Sequence, residues 1–275
     1  MVKHFCFLPL SIPTGLPVHV NGYFAVTSNR RGIWEQTAEE SQYFQPLEAR
    51  WNKALMKDGI AHAYLELLKE TKQMAQEGIL QEYNFSSLWP NPYRLQSHTW
   101  NSLIVGVYKL ITSSSLALLK SGRNWYSVDD CVFPDTDMQR IPASLQILRE
   151  LQYKIVDLPL FARKGFSMAE CGEQIESQTM SEKKFLEKVF FPNINFIAGG
   201  LRDRVVCYVI DECLAGSDES KKKLFQELLR TNACIPCSAD KQVLARPRDL
   251  IRPYGAAASL YSPCDNKNAR GRLFS

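Results

Sequence analysis

The chain has 275 residues, with 33 basic and 29 acidic side chains and a formal net charge of +4. Hydrophobic residues make up 45% and charged residues 23%, enough apolar material for about two domains on a prior of ~150 residues each. The charge excess is too slight, and the runs Arg30-Arg31, Lys183-Lys184 and Lys221-Lys222-Lys223 too short, for a nucleic-acid partner; no stretch approaches the ~18 consecutive apolar residues of a membrane span.

The opening "MVKHFCFLPLSIPTG" has an apolar patch, but His4, its prolines and the lack of a small-residue cleavage site argue against a signal peptide. Without a signal, the eight scattered cysteines read as reduced thiols, and the expected compartment is the cytoplasm. "HFCFLPL" carries the aromatic and branched residues of a strand, closed by the turn-rich "IPTGLP". Val18, Val20, Phe24 and Val26 flank Asn21-Gly22, a pair suited to a two-residue hairpin turn because both positions need positive φ. The front end is therefore expected to be a unit of about three strands, with a structural hairpin turn at Asn21 and Gly22.

From Pro46 the period changes. Leu47, Trp51 and Leu55, then Ala61, Tyr64, Leu65 and Leu68, recur at helical spacing, with Gly59 as a weak point and Gly78 near the end. A second helix is expected from about Ser97 to Lys120, closed by Gly122. "NWYSVDDCVFP" reads as strand and turn, "IPASLQILREL" as a helix with Pro142 in its first turn, and "YKIVDLP" as a strand. "SEKKFLEKVFF" and "LRDRVVCYVIDECL" read as helices, the first opened by Ser181 and Glu182. "AGSDESKKK" reads as a charged linker into the helical "LFQELLRT", and "ACIPC" with "KQVLA" as a short hairpin. The tail from Cys264 has no periodicity. The fold class expected is α+β, with residues 1–122 as one domain and 123–275 as a smaller mixed α/β region.

Few constellations carry chemistry. Cys234 and Cys237, in "CIPC", have the spacing of a redox pair or of half a zinc site. The redox reading wants a strand before the pair and a helix after it, the zinc reading a second ligand pair, and neither is visible. The histidines show no HxxxH or HExxH spacing, Asp129-Asp130 reads as a turn or cap, and "IAGGLRD" as a plain helix entry. No nucleophile elbow or phosphate-binding glycine loop is present, so no catalytic residue, metal or cofactor is expected.

One stretch is specific. "FCFLPLSIPTGLPVHVNGYFAVTSNRRGIW" resembles the segment that follows the ATPase module in the repeats of the sacsin family. "WYSVDDCVFP", "LQYKIVDLP" and "ACIPCSADKQVLARPRDLIRP" resemble later pieces of the same repeats, in the same order. The resemblance implies a region comparable to the transducer or middle domain of the heat-shock ATPases of the GHKL superfamily. In that superfamily, basic side chains of this region reach the γ-phosphate of ATP held by the preceding domain. Arg30 and Arg31 are the candidates for such a nucleotide phosphate contact, a task suited to a permanent charge with a fixed fork of donors. The acidic-Asn helix box, the Asp-x-Gly-x-Gly loop, the ubiquitin-like region and the His-Pro-Asp module are missing from these residues. The expectation is a fragment or isolated module without turnover of its own. It is expected to act as a chaperone or co-chaperone module that binds client proteins or chaperone machinery, with a GHKL-type ATPase domain as a possible partner in a longer protein.

Overall fold

The structure is a computed structural model that describes residues 3–6, 8–35, 46–80, 85–237 and 243–247. Cys264, the tail and the ending "RPRDLIRP" from residue 248 lie outside the described residues. Within them the fold is α+β: small sheets accompany a larger complement of helices.

At the front, Lys3–Cys6 pairs antiparallel with Leu8–Pro13, Cys6 opposite Leu8. Val20–Asn21 then adds in parallel to the other edge of Lys3–Cys6, Phe5 opposite Asn21. The three strands are there, but the hairpin turn expected at Asn21-Gly22 is not. Asn21 is tied into the parallel ladder, and neither residue takes a positive φ, which a two-residue hairpin turn demands. The chain reverses further on, where Val26 bridges Ile33 antiparallel and Arg30, at φ 52°, takes the left-handed conformation.

The long helical stretch forms as Leu47–Ala54, a π-helical Leu55–Ile60 and Ala61–Gln76 without a break. The widened turn contains Gly59, and Gly78 follows the end at φ 76°. The inward face of the first segment differs from the expected one. Ala49, Asn52 and Met56 are buried, whereas Leu47 and Trp51 are exposed. At about 100° per residue the two sets lie on opposite sides of the helix. Beyond the π turn the expected positions Ala61, Tyr64, Leu65 and Leu68 do point inward.

The second helix runs from Asn101 to Ser113, after a short turn in which Ser97 Oγ accepts from Thr99 N–H. It ends well before Gly122. That glycine, at φ 59°, lies instead in the turn of a hairpin joining Leu119–Ser121 to Asn124–Tyr126, where Leu119 opposes Tyr126. "YKIVDLP" forms no strand of several residues; Val156 N–H donates to Val132 O at 3.0 Å. Two helices unread in the sequence follow, Leu160–Met168 and Gly172–Gln178.

The chain divides into two compact units that alternate along the sequence: Met1–Phe133 with Val156–Thr179, and Pro134–Ile155 with Met180–Ser275. The first unit's core draws Trp100, Ile104 and Val107 from one helix, Leu68 from another and Phe166 from a third. In the second unit, Ser144–Glu150, Glu182–Lys184 with the π-helical Phe185–Phe190, Gly199–Ala215 and Glu219–Thr231 bury Leu148, Phe185, Phe190, Val205 and Phe225. Ser181 caps its helix, its hydroxyl accepting from Lys184 N–H. The expected linker "AGSDESKKK" is in large part helix: Glu219–Thr231 includes its "ESKKK", and Asp218 caps that helix by accepting from Ser220 and Lys221 N–H.

Candidate functional site: an arginine loop beside exposed aromatics

The reversal between Val26 and Ile33 is closed by local polar chemistry. Thr27 N–H donates to Gly32 O at 3.0 Å, Arg30 N–H to Thr27 O at 2.8 Å, and Trp34 N–H to Ala25 O at 2.9 Å. Asn29 Oδ1 accepts from the Thr27 hydroxyl at 2.8 Å and from Arg31 N–H at 3.0 Å, the local bonding for which Asn is favoured in turns. The left-handed Arg30 backbone costs roughly 1 kcal/mol in a residue with a Cβ.

What holds this loop is one buried side chain in the neighbouring helix. Asn52, only 1% exposed, donates from Nδ2 to Ala25 O at 2.8 Å and to Trp34 O at 3.0 Å, while its Oδ1 accepts from Ala25 N–H at 2.8 Å. A single amide therefore grips both strands of the reversal. One residue earlier, Trp51 Nε1 donates to Tyr23 O at 2.8 Å.

The outward side of this corner is aromatic and basic. Tyr23 is 71% exposed, Trp51 50% and Trp34 39%, with Leu47 also at the surface and Arg30 and Arg31 exposed on the loop between Tyr23 and Trp34. Tyr, Trp and Arg are the residues that dominate binding energy at protein interfaces. The sequence marked Arg30 and Arg31 but missed Asn52, Trp51 and Tyr23. Leu47 and Trp51 fit an apolar stripe, and a polar Asn reads as the solvent side, so the buried face was not visible.

The other marked residues lie apart from the loop in the sequence and in their environment. Ile235–Pro236 pairs with Leu244–Ala245, so Cys234 and Cys237 bracket a short strand, their N–H groups donating to Ala245 O and Val243 O. Cys234 is fully buried, and burial pushes its thiol up to about 12, with Arg202 pulling weakly the other way. That direction is opposite to the lowered pKa of a reactive thiol. Among the described residues, no group of three or more Cys, His, Asp or Glu gathers for a metal ion. "IAGGLRD" opens the Gly199–Ala215 helix, where Arg202 Nε lies 3.4 Å from Asp203 Oδ1 and both side chains are buried.

A comparison with characterised proteins bears on this corner. The chain is 34% identical to human sacsin over 278 aligned residues, covering 96% of the chain and 6% of sacsin. This is a sacsin-related region. The match extends across nearly the whole chain, the arginine loop and the "CIPC" strand alike, so the resemblance carried by "FCFLPLSIPTGLPVHVNGYFAVTSNRRGIW" and the later pieces holds between them as well. It spans only a small part of sacsin's own length. No family model matches the chain, and no solved structure matches it. Among the described residues, no helix is long and apolar enough to cross a membrane.

Proposed function

We propose that this sacsin-related chain is a non-catalytic chaperone or co-chaperone module that binds client or partner proteins in the cytoplasm through the corner formed by Tyr23, Trp34, Trp51, Arg30 and Arg31. The observation that carries the reading is the corner itself: exposed aromatics beside two guanidiniums, on a loop fixed by Asn52. Rigid aromatic anchors with few rotatable bonds lose little entropy on binding, and arginine adds a hydrogen-bonding rim. The relation to sacsin supports a place in protein quality control. The balance of the surface, three aromatic rings and Leu47 against two guanidiniums, favours a protein over a nucleotide phosphate as the partner of Arg30 and Arg31.

The test is fluorescence anisotropy of a labelled, carboxymethylated and therefore permanently unfolded protein titrated with the purified chain. Saturable binding is expected, weakened at least about tenfold when Tyr23→Ala is combined with Arg31→Ala, the loss of one to two interface anchors. Arg30→Gly keeps the loop, since glycine accepts the positive φ, and is expected to weaken binding less. Absence of binding, or equal binding by wild type and the double variant, overturns the reading.

A further inference from the structure

A second feature of the first unit is a pocket of about 360 Å³, at the small end of ligand sites, which run roughly from 300 to 1,000 Å³. Its wall is built from buried apolar side chains, among them Phe85, Trp89, Leu119, Val156, Leu158 and Ala162, with Lys120, Asp157 and Ser86 as polar members. Lys120 and Asp157 are exposed and of opposite sign, so the mouth is close to neutral.

Trp89 is the unusual member of the wall. It is 3% exposed, and its indole Nε1–H is a buried polar side-chain group with no hydrogen-bond partner among the described residues. Its ring packs edge-on against both Tyr108 and Phe166, with centroids at 5.8 and 6.1 Å. The carbonyls on either side of it are already engaged: Tyr64 Oη–H donates to Leu88 O at 2.6 Å and Tyr108 Oη–H to Pro90 O at 3.0 Å. Two tyrosine hydroxyls thus hold the backbone around Trp89, and the indole donor is left on a rigid seat. A buried donor without an acceptor is unfavourable. The donor gains a purpose if an acceptor arrives with whatever occupies the pocket.

We infer that the pocket seats one bulky apolar side chain of an extended peptide, whose adjacent backbone carbonyl accepts from Trp89 Nε1–H. The inference rests on the client-binding reading and deepens it by naming the peptide feature recognised. A peptide fits better than a charged metabolite for two reasons. The mouth offers one cation and one anion rather than a cluster of one sign, which suits an uncharged backbone. The wall sets the Trp89 ring among aliphatic and aromatic side chains with Ser86 as a polar neighbour, which suits a backbone carbonyl beside a hydrocarbon or aromatic group.

The experiment uses the full chain labelled with ¹⁵N at its indoles and N-acetylphenylalaninamide as probe. A saturable downfield shift of the Trp89 indole N–H, assigned by its loss in Trp89→Phe, is expected. Ethylbenzene, which has the ring but no carbonyl, is expected to leave that signal nearly unmoved. Trp89→Phe is expected to bind the probe at least about fivefold more weakly, the loss of about one hydrogen bond. No saturable shift, or equal affinity in Trp89→Phe, overturns the inference. Binding of the unfolded protein by the Tyr23–Trp51 corner is measured on the same samples. If it persists while the pocket stays unresponsive, only the pocket assignment falls; if it is absent, the client-binding reading falls whatever the pocket does.

Discussion

Asn52 illustrates how much one buried amide can decide. It satisfies Ala25 N–H, Ala25 O and Trp34 O at once, from a helix position with almost no exposure. Asn52→Ala is expected to destabilise the first unit by about 1–3 kcal/mol, because it leaves a part-buried donor and acceptor without this partner and opens a small cavity. Asn52→Asp is expected to cost more, since a carboxylate loses both donated bonds and buries a charge. Urea unfolding followed by tryptophan fluorescence measures both, and wild-type stability for either variant would show that the reversal does not depend on this side chain. Arg30 and Arg31 were legible in the sequence as a basic pair near strands. Asn52 was not, because its partners lie 18 and 27 residues away and nothing in its own neighbourhood singles it out. Cys234 and Cys237 looked reactive by spacing, yet the property that matters for Cys234, burial, is set by tertiary packing that spacing does not encode.

Among the elements, those legible in advance were the ones whose stabilisation is local. The Gly199–Ala215 and Glu219–Thr231 helices carry periodic apolar residues, and Ser181 is a cap readable from its neighbours. Leu160–Met168 escaped notice for an instructive reason. Gly165 weakens it as a helix, but a Cβ there would stand 2.3 Å from the Tyr108 ring, so the glycine exists for the approach of another element. Gly106 plays the same part in Asn101–Ser113, where a Cβ would come within 2.5 Å of Lys57 O. Gly106→Ala is therefore expected to destabilise by roughly 1–3 kcal/mol through overpacking. Gly200→Ala, in the first turn of Gly199–Ala215 with no atom within 4 Å of the added Cβ, is expected to stabilise by up to about 1 kcal/mol from helix propensity. Thermal unfolding of the two variants side by side is the check; shifts of the same sign would contradict the packing account. The misread face of Leu47–Ala54 has a related cause. The π turn at Leu55–Ile60 resets the phase of the helix, so one continuous stripe drawn through Leu47, Trp51 and Tyr64 joins residues that do not share a side.

At the scale of the whole molecule, charge and burial set a limit on alkaline stability. In the second unit, Lys221 Nζ lies 2.9 Å from Glu182 and 3.3 Å from Glu212, and donates to Tyr208 Oη at 3.2 Å. Burial and the hydrogen bond to Glu182 push Tyr208 up to about 12. Burial and the Glu212 charge push Cys213 up to about 11, and burial takes Cys234 to about 12. Burial pulls Lys221 down, but its bonds to Glu182 and Tyr208 outweigh this and leave it raised. Each folded-state pKa exceeds its ordinary value, 9.0 for the thiols and 10.0 for the phenol, so the folded chain holds protons that the unfolded chain has released. Their contribution is complete below about pH 9 and is lost as the pH climbs toward about 12. Urea midpoints measured across that range are expected to fall steadily, with a shallower slope in Tyr208→Phe and Cys234→Ala; a flat profile in the wild type would refute the assignment.

The alternation of the two units along the sequence has a consequence for how the protein is made. A ribosome releases the chain from its N-terminus at ~5–20 residues per second. When Phe133 emerges, the first unit still lacks Ala162, Phe166, Ala169 and Ile175 from its core, and the Pro134–Ile155 excursion must be synthesised before they appear. For a few seconds the nascent first unit therefore carries an open apolar face, with Tyr108 and Trp89 awaiting Phe166, which has not yet emerged. Until Thr179 has left the exit tunnel, the core of the first unit cannot close.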